Sequence, residues 1–582
     1  MRKTKRLLAL LLTLVLVSGM TVLTYAGPVE DAGAMAADDM TPEPNGAEGA
    51  DRIAPAKAYV GGRPQPTDRT TAAVVNVASG AAVTAYRIVE PTYGVSGFTG
   101  YQAVSGTGIV KATEPTSDEV TSIAANQWLL NTLESEPLYP DGWVDADGLT
   151  TYTGQLGAGY WLVLVTPYAG VTTEIYNPML IGVYYSADGP GGSVGLVTGG
   201  SVNANSKWSL NSEPVYAKSE EPRIDKRITG ESGKYWSDGN ESGNDAAVGD
   251  TVSFAIDTQI PGYSKAYQNV RVDVTDRIGK GLTLASPAAI TVKVGAVSSQ
   301  AIVVTDAAFT YTQDYDDKGF QISFYSDFAL AHSGENVYIS YDATVSGDAG
   351  YNFDANTNTA KLIYTNDPHD MYQTTEVEDT TYTYTFGIDA DLCGNNPAWN
   401  QVTRELIKTG EGAAVSGSAV TAAAISGASF SLVATGSALA YPASYAAISD
   451  AEGRLTFTGL DAGDYLLQET AAPEGYSLNE AVIPVSIWAS YNEDGTLSSY
   501  TVSVAGEAYS TYSAAYRINE WTNQAEVASV SSSAITYEIK NTKLNGLPST
   551  GGIGTTIFTI AGCALMVLAA GLFFANRKKS EK

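Results

Sequence analysis

The chain has 582 residues, with 63 Asp and Glu against 33 Lys and Arg for a formal charge of −30. So acidic a chain weighs against nucleic acid as a partner. With two His and two Cys, metal centres and Cys–His or Ser–His nucleophiles have little to draw on, so no metal, no cofactor and no enzyme action on an outside substrate are expected.

In chain order, a basic cluster (Arg2, Lys3, Lys5, Arg6) precedes an apolar run over 7–17 and small residues at Thr24 and Ala26, the pattern of a secretory signal peptide over 1–26. Residues 27–57 are rich in Ala, Pro, Gly, Asp and Glu and cannot bury a core, so a disordered leader is expected. Over 58–218 the pattern predicts strands at 83–89 and 160–165, a helical stretch over 117–133, and turns at Asp141-Gly142 and Asp147-Gly148. Residues 219–386 alternate apolar and polar positions at 251–256, 321–325 and 337–345, which predicts a β-sandwich. A third strand-rich block covers 387–546, with turns at Glu452-Gly453, Asp461-Ala462-Gly463 and Glu493-Asp494-Gly495. After 547–551 comes an uncharged, mostly apolar stretch over 553–575, long enough to cross a bilayer as a helix. The tail over 576–582, with Arg577, Lys578 and Lys579, is basic and is expected to stay cytoplasmic, which leaves the blocks between the two ends outside the cell. The expected fold class is mainly β: tandem Ig-like β-sandwich domains between a signal peptide and a transmembrane helix.

An exported protein has access to disulfides, yet Cys563 lies in the apolar C-terminal stretch and leaves Cys393 alone outside. Covalent reinforcement must therefore come from other chemistry. Side chains alternate across a strand, so residues of one parity share a face. In the third block Tyr465, Leu467 and Glu469 share a face, as do Leu406 and Lys408, and Tyr537, Ile539 and Asn541. The middle block repeats the set with Ile224, Lys226 and Ile228; Val272, Val274, Asp276 and Ile278; and Asn358, Ala360, Leu362 and Tyr364. Asn356 and Asn366 share the parity of Asn358. A Lys, a carboxylate and an Asn thus point inward twice, where an unpaired charge is costly. Burial drives the amine toward its neutral nucleophilic form and the acid toward its protonated form. The acid can then polarise the Asn amide for attack and hand a proton to leaving ammonia, giving a Lys–Asn isopeptide bond. The same residues are also compatible with an ordinary buried ion pair beside a hydrogen-bonded Asn.

These residues, with four motifs, make the chain resemble the sortase-assembled pilin shaft subunits of Gram-positive bacteria. Leu547-Pro548-Ser549-Thr550-Gly551, before an apolar stretch and a basic tail, looks like the LPxTG sorting signal. The segment from Tyr465 through Glu469 and Pro473 to Gly475-Tyr476 is similar to the pilin E-box, whose Glu is the catalytic acid of isopeptide formation. Val248-Gly249-Asp250-Thr251-Val252, Asp276 and Asn358 resemble the middle domain of such pilins, and Trp208 with Val215-Tyr216-Ala217-Lys218-Ser219 resembles the pilin motif.

The resemblance implies a CNA-B-like third domain, with Glu469 and Asp276 as the acids for Lys408–Asn541 and Lys226–Asn358. It also implies a sortase that cleaves between Thr550 and Gly551 and joins Thr550 to Lys218 of the next subunit, with Lys207 as a rival. Implied partners are sortase, other copies and other pilins, peptidoglycan, and the membrane before sorting. The expected product is a covalent cell-surface fimbria with a role in adhesion and colonisation. The alternative is a monomeric wall-anchored adhesin that binds a host or matrix ligand.

Overall fold

The computed structural model describes residues 55–544 and 554–579, apart from the internal stretches 189–206, 233–240, 395–400 and 436–443 and a few shorter ones. The signal-peptide expectation, nearly all of the leader, and Leu547, Pro548, Thr550 and Gly551 lie outside the described residues.

The strand Gly159–Thr166 reads as one continuous apolar run because both of its faces are covered. Trp161, Val163 and Val165 pack into one core with Val74, Ile181 and Leu210. Tyr160, Leu162 and Leu164 pack on the opposite side against Val120, Ile123 and Leu130. Those last three come from two short helices, Ser117–Ala124 and Gln127–Leu130. The first is started by a reciprocal pair in which Thr116 accepts from the Glu119 N–H and Glu119 accepts from the Thr116 N–H. Asn126 caps the second by accepting from the Leu129 N–H at 3.0 Å, which splits the single helix expected over 117–133. Around them runs a ten-stranded sheet that includes Ala56–Val60 and Val215–Tyr216.

Residues of the middle block form two face-to-face sheets. One contains Ile224–Glu231, Thr251–Gln259 and Asn336–Val345; the other contains Val272–Ile278, Asn356–Thr365 and Thr374–Tyr384. Thr251–Gln259 alternates buried and half-buried positions along its length, the signature of a strand with one face on a core. Phe254, Ile256, Val274, Ile322, Ile339 and Leu362 fill the space between the sheets.

In the third block a seven-stranded sheet holds Gly463–Ala471 and Val482–Tyr491 near its centre. A separate parallel pair joins Leu406–Gly410 to Tyr537–Asn541, the block's opening and closing segments, across a core that includes Phe430, Leu467, Val485 and Ile539. Ile388, Leu392 and Cys393, which precede Leu406–Gly410 in the chain, join this core. Gly243 and Gly495 let the middle and third blocks touch, since a Cβ on Gly243 would lie 2.1 Å from the Gly495 carbonyl oxygen.

A helix, Gly554–Lys579, covers the expected membrane segment. Among the described residues no helix is long and apolar enough to cross a membrane.

Candidate functional site

Two clusters of buried polar side chains stand out, and each draws on widely separated strands. In the third block all five residues of Leu406–Gly410 are buried, so Lys408 has no route to water. Lys408 is 0% exposed, Glu469 3% and Asn541 1%. The parallel register sets Lys408 opposite Ile539 and Gly410 opposite Asn541. Glu469 comes from Gly463–Ala471, where alternation turns Tyr465, Leu467 and Glu469 inward together. The Lys408 ammonium donates to Asn541 Oδ1, to Glu469 Oε2 at 3.3 Å and to the Ile539 carbonyl at 3.2 Å. Asn541 Nδ2 in turn donates to Glu469 Oε1 at 2.7 Å.

Phe430 lies 5.7 Å from Lys408 Nζ, and burial lowers the lysine pKa against the opposing pull of Glu469. The segment after Glu469 folds back over this cluster. Tyr476 covers Gly410, where a Cβ would lie 2.5 Å from the tyrosine ring, and bridges to Lys543 beyond Asn541.

The middle block assembles its cluster across the two sheets. Lys226 and Tyr341 come from one sheet and Asp276 and Asn358 from the other, all nearly inaccessible to water. Lys226 pairs with Asp276 Oδ2 and also donates to the Tyr341 hydroxyl at 2.5 Å. That hydroxyl donates to Asp276 Oδ2 at 2.9 Å and accepts from Asn358 Nδ2 at 2.8 Å. Asp276 Oδ1 and Asn358 Oδ1 are buried without a hydrogen-bond partner among the described residues. Burial lowers the Lys226 pKa and raises that of Asp276, each opposed by the other's charge. Phe254 and Phe320 flank Tyr341 at ring distances of 5.5 and 5.0 Å.

Of the three asparagines with the same parity, Asn358 is the one in this cluster. Asn356 accepts from the Gly350 N–H and donates to the Gly350 and Thr383 carbonyls. Asn366 donates to the Thr172 carbonyl at 3.4 Å, where the first and middle blocks meet. Sequence reasoning missed Tyr341, although it sits on the inward parity of Asn336–Val345 and a buried tyrosine hydroxyl needs a partner. It also missed a buried carboxyl pair, Asp389 and Glu405, each 1% exposed. Asp389 accepts from the backbone N–H groups of Glu405, Leu406 and Leu455; Glu405 accepts from Tyr512, Thr403 and the Asp389 N–H.

Lys218 and Lys207 are both exposed. Lys218 lies between two short strands, Val215–Tyr216 and Ser219–Glu220, pinned to the first block by pairing with Thr70–Ala78 and Ile175–Tyr176. Its carbonyl accepts from the Asn177 N–H at 3.2 Å. Lys207 opens the strand Lys207–Ser212.

As to metals, Glu231, Asp250 and Asp461 bring carboxylate oxygens within 4.8 Å of one another, and no His or Cys joins them. His332 stacks on Phe328 and contacts Glu335, while His369 contacts the Ala124 carbonyl. Cys393 is buried, its thiol pushed up to about 11, chiefly by burial, which leaves it inert at neutral pH.

Four family models match successive parts of the chain. Residues 67–219 match the T6 antigen Ig-like domain, and 248–368 match the Cna-B-like domain of Gram-positive pilin backbone subunit 2. Residues 417–503 match a prealbumin-like fold domain and 539–582 the LPXTG cell wall anchor motif. The trypsin-resistant surface T6 protein of Streptococcus pyogenes serotype M6 is 26% identical over 549 residues, covering 87% of this chain and 94% of that one. The solved T6 backbone pilin of the same serotype shares the fold at a TM-score of 0.53 and 21% identity, over 82% of this chain and 99% of that one. The full-length major pilin SpaD of Corynebacterium diphtheriae aligns over 82% of this chain and 99% of that one, at 13% identity and a TM-score of 0.40. With a pilin backbone domain over 248–368 and a wall anchor motif over 539–582, the chain has the make-up of a cell wall-anchored backbone pilin of the Gram-positive type.

Proposed function

We propose that this backbone pilin is polymerised by a sortase and hardened by two internal Lys–Asn isopeptide bonds. The observation that carries the second part is the mutual contact of Lys408, Glu469 and Asn541 in a dry core, together with its counterpart at Lys226, Asp276 and Asn358. In each, a neutral amine attacks the Asn side-chain carbonyl carbon, the protonated acid stabilises the developing oxyanion, and ammonia leaves. Two buried polar groups become one neutral amide, so the cost of holding an ion pair out of water disappears.

For the polymer, sortase cleaves between Thr550 and Gly551, and Lys218 of the next subunit takes the Thr550 acyl group. Exposure of Lys218 at a backbone site pinned to the first block supports this assignment, with Lys207 as the rival. Tension then enters near Lys218, leaves near Thr550, and passes through the middle and third blocks, where each cross-link shields the chain between its ends. The fibre is joined to peptidoglycan by the same sorting reaction, after the C-terminal helix has held the precursor in the membrane, and serves in adhesion and colonisation.

Co-expression with a cognate sortase tests the polymer. A ladder of covalent multimers is expected for the wild type, and only monomer for Lys218→Ala and Thr550→Ala. A ladder that survives Lys218→Ala and is lost in Lys207→Ala would move the link to Lys207, and no ladder from the wild type would contradict polymerisation.

A further inference from the structure

The two clusters solve the same problem with different parts. Forming the amide requires the lysine nitrogen to lose a proton and the asparagine nitrogen to gain one. In the third block Glu469 touches both nitrogens itself, Lys408 Nζ at 3.3 Å and Asn541 Nδ2 at 2.7 Å. In the middle block the acid is an aspartate, one methylene shorter. Asp276 contacts Lys226, and no hydrogen bond joins it to the Asn358 side chain. The hydroxyl of Tyr341 stands between them and bonds Lys226 Nζ at 2.5 Å, Asn358 Nδ2 at 2.8 Å and Asp276 Oδ2 at 2.9 Å.

We propose that Tyr341 is a catalytic residue of the middle block, relaying the proton from Lys226 to the departing nitrogen of Asn358 because Asp276 is too short to do so. This inference rests on the cross-linking reading above. The steps balance without another reagent. A proton first passes from the Lys226 ammonium through the Tyr341 hydroxyl to Asp276, leaving an amine and a carboxylic acid. The Nζ lone pair then forms a bond to Asn358 Cγ, and the carbonyl electron pair moves onto Oδ1, which accepts a hydrogen bond from the Asp276 acid. As the Oδ1 pair returns to re-form the carbonyl, the Cγ–Nδ2 bond breaks and its electron pair goes to Nδ2. Tyr341 gives its proton to Nδ2 and takes one from Nζ, so that ammonia leaves and the hydroxyl is restored.

Several features suit the tyrosine to this task. Its ring is fixed between Phe254 and Phe320, which aims the hydroxyl. Burial, with the Asp276 carboxylate nearby, holds the phenol pKa well above its ordinary value, so the hydroxyl exchanges protons in a concerted step and does not idle as phenolate. Asn358 Oδ1 is buried without a hydrogen-bond partner among the described residues, so it is left to accept from Asp276 once that acid is protonated and its carboxyl turns toward it.

Intact mass and cross-linked peptides of the full-length chain, made in a host without sortase, test the relay. Tyr341→Phe keeps the ring and removes the hydroxyl; it should form the Lys226–Asn358 bond at least about a hundredfold more slowly, while the Lys408–Asn541 bond in the same molecule forms as before. Adding Asp276→Glu to Tyr341→Phe should restore the bond, because the longer acid reaches the amide as Glu469 does. Bond formation at the wild-type rate in Tyr341→Phe overturns the relay and leaves the cross-linking reading standing. Should Tyr341→Phe fail to fold, the double variant decides: a recovered bond supports the relay, and none counts against it. A wild-type chain that never loses the middle-block ammonia overturns the cross-linking reading and the relay with it.

Discussion

Asn541 gives its side-chain N–H to Glu469 at 2.7 Å while its carbonyl oxygen receives Lys408, so one amide is held by its acid and its nucleophile together. This places the reacting groups in register before any bond forms, and the resulting bond would join positions 133 residues apart.

Glu469→Ala is therefore expected to leave Lys408 and Asn541 unjoined. By the chain-entropy model for a disulfide closing a loop of that size, the lost cross-link costs about 5 kcal/mol. For a unit of this size that corresponds to a fall in Tm of roughly 10–20 °C, and the stranded lysine adds to it. Differential scanning calorimetry checks the shift, and an unchanged Tm would argue that no bond was lost.

Asn356 and Asn358 differ by two positions on one strand and are expected to behave differently. Asn358→Ala should abolish the middle-block cross-link. Asn356→Ala should keep it, because Asn356 is engaged with Gly350 and Thr383. The stability cost of Asn356→Ala is about 1–3 kcal/mol from backbone groups left unpaired. Peptide mapping by mass spectrometry separates the two variants, and a cross-link lost from Asn356→Ala but kept in Asn358→Ala would reverse the assignment.

The carboxyl pair Asp389 and Glu405 should make the third block sensitive to pH. Burial raises both pKa values, and repulsion between the two raises Asp389 further, against three backbone N–H bonds that favour its ionised form. A folded pKa above the unfolded one contributes stability that is complete below the unfolded values, about 4, and is lost as pH rises through the folded values. Glu405→Gln removes one charge and the repulsion, so its urea midpoint should decline less than that of the wild type as pH rises above about 4. Parallel declines would contradict the coupling.

Strand parity made much of the candidate site legible. With a side-chain period of two, Glu469 must face the way Leu467 faces, and Lys408 the way Leu406 faces. Parity could not choose among Asn356, Asn358 and Asn366, since all three share it and only the packing of two sheets brings one of them to Tyr341. Tyr341 itself went unnoticed because an aromatic residue at an inward position looks like ordinary core. Asp389 and Glu405 lie in a segment without sustained periodicity, and their pairing depends on the antiparallel approach of 390–392 to 401–403, which local pattern does not encode. The helical period continued through Ala125 and Asn126, so the break made by Asn126 capping Leu129 was hidden as well.

The most direct test of the whole account is the intact mass of the exported chain beside its Glu469→Ala and Asp276→Ala variants. The account predicts a wild-type mass short of the sequence mass by two ammonia molecules, with one regained in each variant. A wild-type mass equal to the sequence mass would contradict it, leaving two buried ion pairs in a backbone pilin held together by packing alone.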